Sequence, residues 1–251
     1  GVAVLSSVPR HDGLWQFFDG TSMAAPHAAG AAALLLERHP KWTVQQVKSA
    51  LVLTGSPVRS NSRGRREVPP TREGGGMIDL PRADQPLVFA NPSSLSFGLL
   101  RRGRSIALHV RLADAGGGAG RWSVSVRQVS RAAGVAFKVA PVTVPGTLTV
   151  RAVISRRAPV GDAGGFIMLG RSGQTRRIPY WLRVSAPLIG TEARQVLRRP
   201  GVYHGDTRKG RALVTSYRYP ASPSAVGVLT RLPGPEQVFR FVLRRPVANA
   251  G

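Results

Sequence analysis

Cysteine is absent from the 251 residues, so neither a disulfide framework nor a thiolate metal site is available to the chain. Acidic residues are scarce: 12 Asp and Glu stand against 36 Lys and Arg, for a formal net charge of +24. Lysine is scarcer still, occurring only at 41, 48, 138 and 209, so nearly all the positive charge is arginine. Aromatics make up 6% of the chain, which leaves few rings to interleave with bases, and the arginines are scattered along it. Nucleic acid is therefore not expected as a partner, and the arginine bias with abundant Ala, Gly and Pro reads as genome composition. No apolar run reaches the length needed to cross a bilayer as a helix, so no membrane span is expected. The five histidines show no ligand spacing, and no carboxylate cluster marks a metal site. A hydrophobic share of 42% is nonetheless ordinary for folded domains and excludes wholesale disorder.

What is present centres on Asp19-Gly20-Thr21-Ser22-Met23-Ala24-Ala25-Pro26-His27 and the alanine- and leucine-rich run that follows. The apolar stretch Trp15–Phe18 reads as a strand, Gly20 as the turn, and the residues from Met23 to Leu36 as a helix with apolar residues on every side. Such a helix is expected in a core. Pro26 is placed within about the first turn, where a missing N–H costs little. Ser22 then stands where unpaired N–H groups converge at the positive end of the helix dipole, a position suited to a nucleophile whose reaction develops an oxyanion. The plain alternative for a serine before a helix is an N-cap.

The words Gly-Thr-Ser-Met-Ala-Ala-Pro-His-Ala-Ala-Gly resemble the nucleophile segment of the subtilisin-like serine proteases. The likeness runs on through His39-Pro-Lys-Trp-Thr43 to Val47-Lys-Ser-Ala-Leu51. It implies that Ser22 is the acylating nucleophile, that its backbone N–H is part of the oxyanion hole, and that the Thr21 hydroxyl lends a further hydrogen bond. It also implies that the triad Asp and His and an oxyanion Asn precede this segment, so that the chain is a fragment beginning late in a catalytic domain and inactive by itself. Protein or peptide substrates and an exported or cell-surface location follow from the family alone. No cofactor is evident, and calcium enters only through the resemblance. The oligomeric state is left open.

His27, five residues beyond Ser22, faces away from it on a helix and is expected to be packed rather than to act as the base. His11 belongs to Arg10-His11-Asp12-Gly13, which reads as the reversal between Val2–Val8 and Trp15–Phe18. His39, His109 and His204 show no partner spacing. Thr43 with Gln46 three residues on forms a capping-box signature for a second helix, which Gly55 ends. Ser56–Gly76 is basic and rich in Gly and Pro, the pattern of an exposed loop open to nicking. Gly74–Ala83 resembles the glycine turn and short helix that close these catalytic domains.

From Leu87 the apolar period shortens to two. Seven short alternating stretches between Leu95 and Val184 predict a β-sandwich, with Pro179 placing its strand at an edge. Pro92-Ser-Ser-Leu-Ser-Phe-Gly98 is similar to the fibronectin-III-like domains that follow larger subtilases. Three further strand patterns, Ala212–Tyr219, Val226–Leu229 and Val238–Leu243, read as the opening of another β-domain. The expected fold is thus α/β over 1–84 (the C-terminal part of a three-layer subtilisin-like domain), an all-β sandwich over 85–186, and a partial β-domain over 187–251. Its expected activity is that of a serine endopeptidase. The alternative is a non-catalytic exported β-domain binding protein carrying a degenerate protease remnant.

Overall fold

Val4–Ser7 (β1) and Trp15–Phe18 (β2) pair antiparallel with Val4 opposite Phe18, as the Asp12-Gly13 reversal demands. A single 3-10 turn, Arg10–Asp12, closes the hairpin, and Gly13 at φ +101° supplies the left-handed residue that ends it. The structure is a computed structural model that describes residues 1–60, 66–185, 194–209, 216–218, 229–231 and 237–242. It falls into two units, Gly1–Val184 and Ser185–Gly251.

In the first unit β2 feeds α1 (Thr21–Arg38), and α2 (Val44–Thr54) follows after a short turn. Thr43 caps α2 as its sequence foretells: its side chain accepts from the Gln46 N–H while the Gln46 side chain accepts from the Thr43 N–H, and Gly55 ends the helix. The one-turn α3 (Pro70–Glu73) comes next. Asp79 then caps the short α4 (Leu80–Asp84) by accepting from the Arg82 N–H.

Nine strands, not seven, build the sandwich: β3 (Val88–Asn91), β4 (Leu95–Arg101), β5 (Ser105–Asp114), β6 (Gly120–Ser130), β7 (Val135–Lys138), β8 (Val142–Val144), β9 (Gly146–Ile154), β10 (Gly161–Arg171) and β11 (Gln174–Ser185). One sheet has the order β3-β5-β9-β7 and the other β4-β11-β10-β6-β8. The two strands missed from the sequence have physical excuses. β3 is buried on both faces, by the sandwich core beneath Val88 and Ala90 and by α2 above Phe89, so it shows a continuous apolar run instead of alternation. β8 has only three residues, too few to show a period.

The expected edge position of Pro179 is corrected by the topology, since β11 lies between β4 and β10. A proline needs only one ladder position where no N–H is required. Seven-residue β4 cannot pair along all twelve residues of β11, which leaves such positions.

Between the sheets, Trp122, Tyr180, Leu148, Ile154, Ile167 and Leu182 are fully buried. The Trp122 indole donates to the Gly118 carbonyl at 2.8 Å, so its polar atom is satisfied in the core. The helical segment is joined to this sandwich without a break in packing at residue 84. Leu35, Val47, Ala50, Ala83 and Phe89 form one cluster, and the Ser49 hydroxyl accepts from the Ala90 N–H at 2.7 Å.

The described residues of Ser56–Gly76 are not simply the exposed loop that composition suggests. Ser56 bridges Met77 and Arg59 bridges Glu67, while Glu67 and Glu73 turn inward against the sandwich. The two acids of this basic, glycine-rich stretch find a buried cation, Arg177. Residues 61–65 of the stretch expected to be open to nicking lie outside the described residues.

In the second unit β12 (Arg194–Val196) runs parallel to β15 (Val238–Arg240), and β13 (Ser216–Arg218) runs antiparallel to β14 (Leu229–Arg231). The expected strands thus appear over 216–218, at 229 and over 238–240. The expected positions 241 and 242 lie beyond that last strand, and those at 212–215, 219, 226–228 and 243 lie outside the described residues.

Candidate active site

Gly20, at φ +153°, turns the chain from β2 into α1 and stands at the N-cap with no side chain to contribute. The elbow is tied to the start of the chain. The Gly1 nitrogen donates to the Gly20 carbonyl at 2.8 Å, the Gly20 N–H donates to the Gly1 carbonyl at 2.9 Å, and the Ala3 N–H donates to Asp19 Oδ1 at 2.5 Å. Thr21 and Ser22 are the first two helical residues, both exposed. Their backbone N–H groups belong to the first turn, where no helical carbonyl precedes them to accept. The Ser22 hydroxyl has no hydrogen-bond partner among the described residues.

Pro26 lies one turn deeper than the sequence suggests, because the helix begins at Thr21 and makes it the sixth residue. Its missing N–H would have met the carbonyl of Ser22 four residues back. The proline thus releases the backbone of the serine itself from the helical ladder.

The structure separates the histidines from Ser22. His27 is exposed rather than packed, and its Nδ1 donates to the Met23 carbonyl at 2.7 Å, so the ring is turned back on its own helix. His11 sits on the exposed hairpin turn with Nε2 3.3 Å from Asp12 Oδ2. His39 has a partner that spacing could not reveal. Its Nε2 lies 2.8 Å from Asp84 Oδ1, its ring stacks on Trp42 at 3.8 Å, and Arg38 pairs with the same carboxylate at 3.0 Å. Hydrogen bonds from Arg38 first and His39 second hold the Asp84 carboxyl below its usual range. This His–Asp pair closes the far end of α1, about 24 Å from Ser22 at 1.5 Å per residue, and has no reach to it.

The helix around Ser22 is open. Of its residues only Ala31 and Leu35 are buried, so the described residues do not by themselves enclose the helix that its apolar composition places in a core. A cleft of about 1150 Å3 runs between the hairpin, α1, α2 and the 56–78 segment, lined by Val4, Ala28, Ala32, Leu36, Val47 and Leu51 among others. Ser22 does not line it. Among the described residues no group of three or more His, Cys, Asp and Glu comes together as a metal site, and no helix is long and apolar enough to cross a membrane.

The arrangement, a glycine elbow delivering a serine onto a helix N-terminus, occurs within a stretch that matches a known protease family: residues 4–76 correspond to the subtilase family, peptidase S8. Individual relatives match over 56 to 102 residues. The minor extracellular protease Vpr of Bacillus subtilis is 32% identical over 102 residues, 39% of this chain and 12% of that protein. Subtilisin of Bacillus pumilus is 48% identical over 56 residues, 22% of this chain and 20% of that protein. Subtilisin-like protease SBT3.17 of Arabidopsis thaliana is 38% identical over 93 residues, 34% and 12% of the two chains. The chain therefore spans between an eighth and a fifth of the length of these relatives.

The sequence reading missed the second polar cluster of the unit. Arg177 reaches from β11 to Glu67 Oε1 at 2.5 Å, to Glu73 Oε1 at 3.2 Å and to the Gly75 carbonyl at 2.8 Å, and Arg127 pairs with the other oxygen of Glu67. The guanidinium of Arg177 stacks over Phe166 at 3.9 Å. The only sequence signal was two glutamates inside a basic loop, more than 100 residues from their partner.

Proposed function

We propose that the chain is part of a subtilisin-like serine endopeptidase and that Ser22 is its nucleophile. The observation that carries this reading is the position of Ser22: second residue of a helix, behind a glycine elbow, inside the stretch that matches the subtilase family. Attack of the Ser22 hydroxyl on a peptide carbonyl forms a tetrahedral oxyanion, which collapses to an acyl-enzyme and releases the amine. Water then hydrolyses the ester and returns the proton to the serine. The oxyanion is met by the Ser22 N–H and the positive end of α1, with the Thr21 hydroxyl as a further donor. A serine hydroxyl needs a base to take its proton, and no imidazole among the described residues bonds to Ser22. The base and its orienting carboxylate are then contributed by chain outside these 251 residues, as is the oxyanion asparagine. The sandwich of β3–β11, read as fibronectin-III-like, has a hydroxyl–imidazole contact, Thr149 to His109 at 3.0 Å, but on an exposed face with no carboxylate bonded to the imidazole among the described residues, and it serves to hold or position the catalytic part. Export is part of the same proposal, supported by the relative named as an extracellular protease.

A second reading is favoured by the same unpaired hydroxyl: a protease remnant whose sandwich binds rather than cuts. A fluorophosphonate probe separates the two. Applied to a chain extended with its upstream coding sequence, it should label Ser22 stoichiometrically, and Ser22→Ala should abolish labelling. The 251-residue chain should stay unlabelled, since loss of the base in subtilisin, the system in which this was measured, costs on the order of 10^6 in turnover. An extended chain that folds but does not label would establish the binding reading.

A further inference from the structure

A basic surface is expected on any chain with a net charge of +24, but composition does not decide where the charges meet. Between residues 95 and 160 there are eleven Lys and Arg and a single acid, Asp114. That carboxylate is occupied by its own turn, accepting from the Gly116 and Gly118 N–H groups at 3.0 and 2.7 Å. The fold gathers many of the cations on one side. Two turns at the same end of the sandwich carry Arg101, Arg102 and Arg104 on one and Arg156 and Arg157 on the other. The turns are tied by the Ile154 N–H to the Arg104 carbonyl at 2.8 Å, the Gly103 N–H to the Ser155 carbonyl at 3.3 Å, and Arg102 Nε to the Ala158 carbonyl at 2.7 Å. All five arginines are exposed, and none has an ion pair among the described residues.

This end continues into the outer face of the β3-β5-β9-β7 sheet. The register sets Lys138 beside Arg151, with Arg111 opposite Thr147 further along. These side chains are exposed, and His109 and Thr149 lie between them. β3 has its outer side covered by α2 through Phe89, but the outer residues of β5, β9 and β7 are open. The result is a pleated surface with no aromatic residue and no carboxylate.

We propose that the outer face of β5, β9 and β7, with the arginine turns at 101–104 and 155–157, is a docking surface for an anionic lipid bilayer. Charge complementarity selects an anionic partner, since each Lys or Arg brought near an anionic membrane adds to its attraction and the face supplies eight. The absence of rings on the face argues against single-stranded nucleic acid, which gains much of its affinity by stacking. Leu99 and Val160, 67% and 48% exposed, flank the two turns in sequence. Exposed apolar side chains beside cations suit the boundary between headgroups and acyl chains, and a phosphodiester backbone offers them nothing.

The test uses the full 251-residue chain and vesicles of phosphatidylcholine with or without phosphatidylglycerol. Sedimentation with the anionic vesicles alone, weakening with added salt, is expected. The exposed triple variant Arg104→Glu, Arg151→Glu, Arg156→Glu should bind on the order of a hundredfold more weakly or worse. A control carrying Arg10→Glu, Arg72→Glu and Arg121→Glu has the same net charge on other surfaces and should keep most of the binding. Equal losses in the two variants would show an effect of net charge alone and overturn the proposal. So would absence of vesicle binding by the parent chain. Retention on duplex DNA, lost in the first variant but without vesicle binding, would give the face to a nucleic acid instead.

Discussion

Glu73 has its side chain wholly out of solvent and shares its site with a second carboxylate, Glu67. Burial comes first among the causes that push its carboxyl from 4.5 up to about 7. The hydrogen bond and charge of Glu67 add to this, while the Val58 N–H and Arg177 oppose it. Arg127 faces the pair from β6. The folded state therefore holds a proton on Glu73 between about pH 4.5 and 7 that the unfolded chain has released. Its contribution to stability is complete below that window and is lost as pH rises through it. Thermal melts should give a lower Tm at pH 8 than at pH 5, and Glu73→Gln should flatten that slope; an unchanged slope would mean another group sets it. Removal of the shared cation Arg177 is a different matter: it leaves the buried Glu73 without a counter-ion and Glu67 with Arg127 alone, a loss of about 3–5 kcal/mol in comparable cases.

Tyr180 offers the opposite test. Its hydroxyl is buried without a hydrogen-bond partner among the described residues, and burial raises its pKa well above the usual phenol value. An unsatisfied buried hydroxyl costs about 1–3 kcal/mol. Tyr180→Phe should accordingly hold or raise the denaturation midpoint, and a loss above about 1 kcal/mol would reveal a partner, such as trapped water, for that hydroxyl.

At the scale of elements, α1 shows how one run of apolar residues can have two energetic characters. Leu35 is 2% exposed among Val47, Ala50, Ala83 and Phe89, whereas neighbouring Leu34 is 51% exposed. Leu35→Ala should cost about 2–5 kcal/mol by emptying that cluster. Leu34→Glu should change stability by less than about 0.5 kcal/mol, since a surface substitution gives up little, and should reduce binding of an apolar dye. Similar losses for the two in chemical denaturation would mean that α1 is covered in solution on its Leu34 side.

Across the whole molecule, the decisive feature is that the subtilase-like stretch and the sandwich are packed as one body. Phe89 of β3 completes the helical cluster, Arg177 of β11 satisfies Glu67 and Glu73, and Arg82 of α4 donates to the Thr175 carbonyl at 2.9 Å. An excised 85–186 should still melt cooperatively, because its own strands fill its core. It should be less stable than in the full chain by about 2–3 kcal/mol, with uncovering of Phe89 the largest piece. An excised 1–84 should bind apolar dyes and show no cooperative transition, having lost the surface that α2 packs on. Calorimetry of the two pieces beside the 251-residue chain checks this, and a cooperative melt from 1–84 would overturn it.

The local vocabulary of the chain was determined by the sequence. Thr43 and Gln46 capped α2, Gly13 closed the hairpin, Gly20 turned the chain into α1, and alternation placed seven strands, because each rests on backbone angles or periods confined to a few residues. The subtilase-like identity of the first 76 residues was equally local, lying in one ordered run of residue types. What only the tertiary structure decided was which side of an element meets another. It put β11 inside its sheet despite Pro179, brought Asp84 to His39, and buried Glu67 and Glu73 against Arg177. It also left His27 and most of α1 exposed. Contacts between residues 45 to 110 positions apart leave no periodic trace in the chain, because burial depends on where a neighbour arrives in space and not on the spacing of the residues it covers.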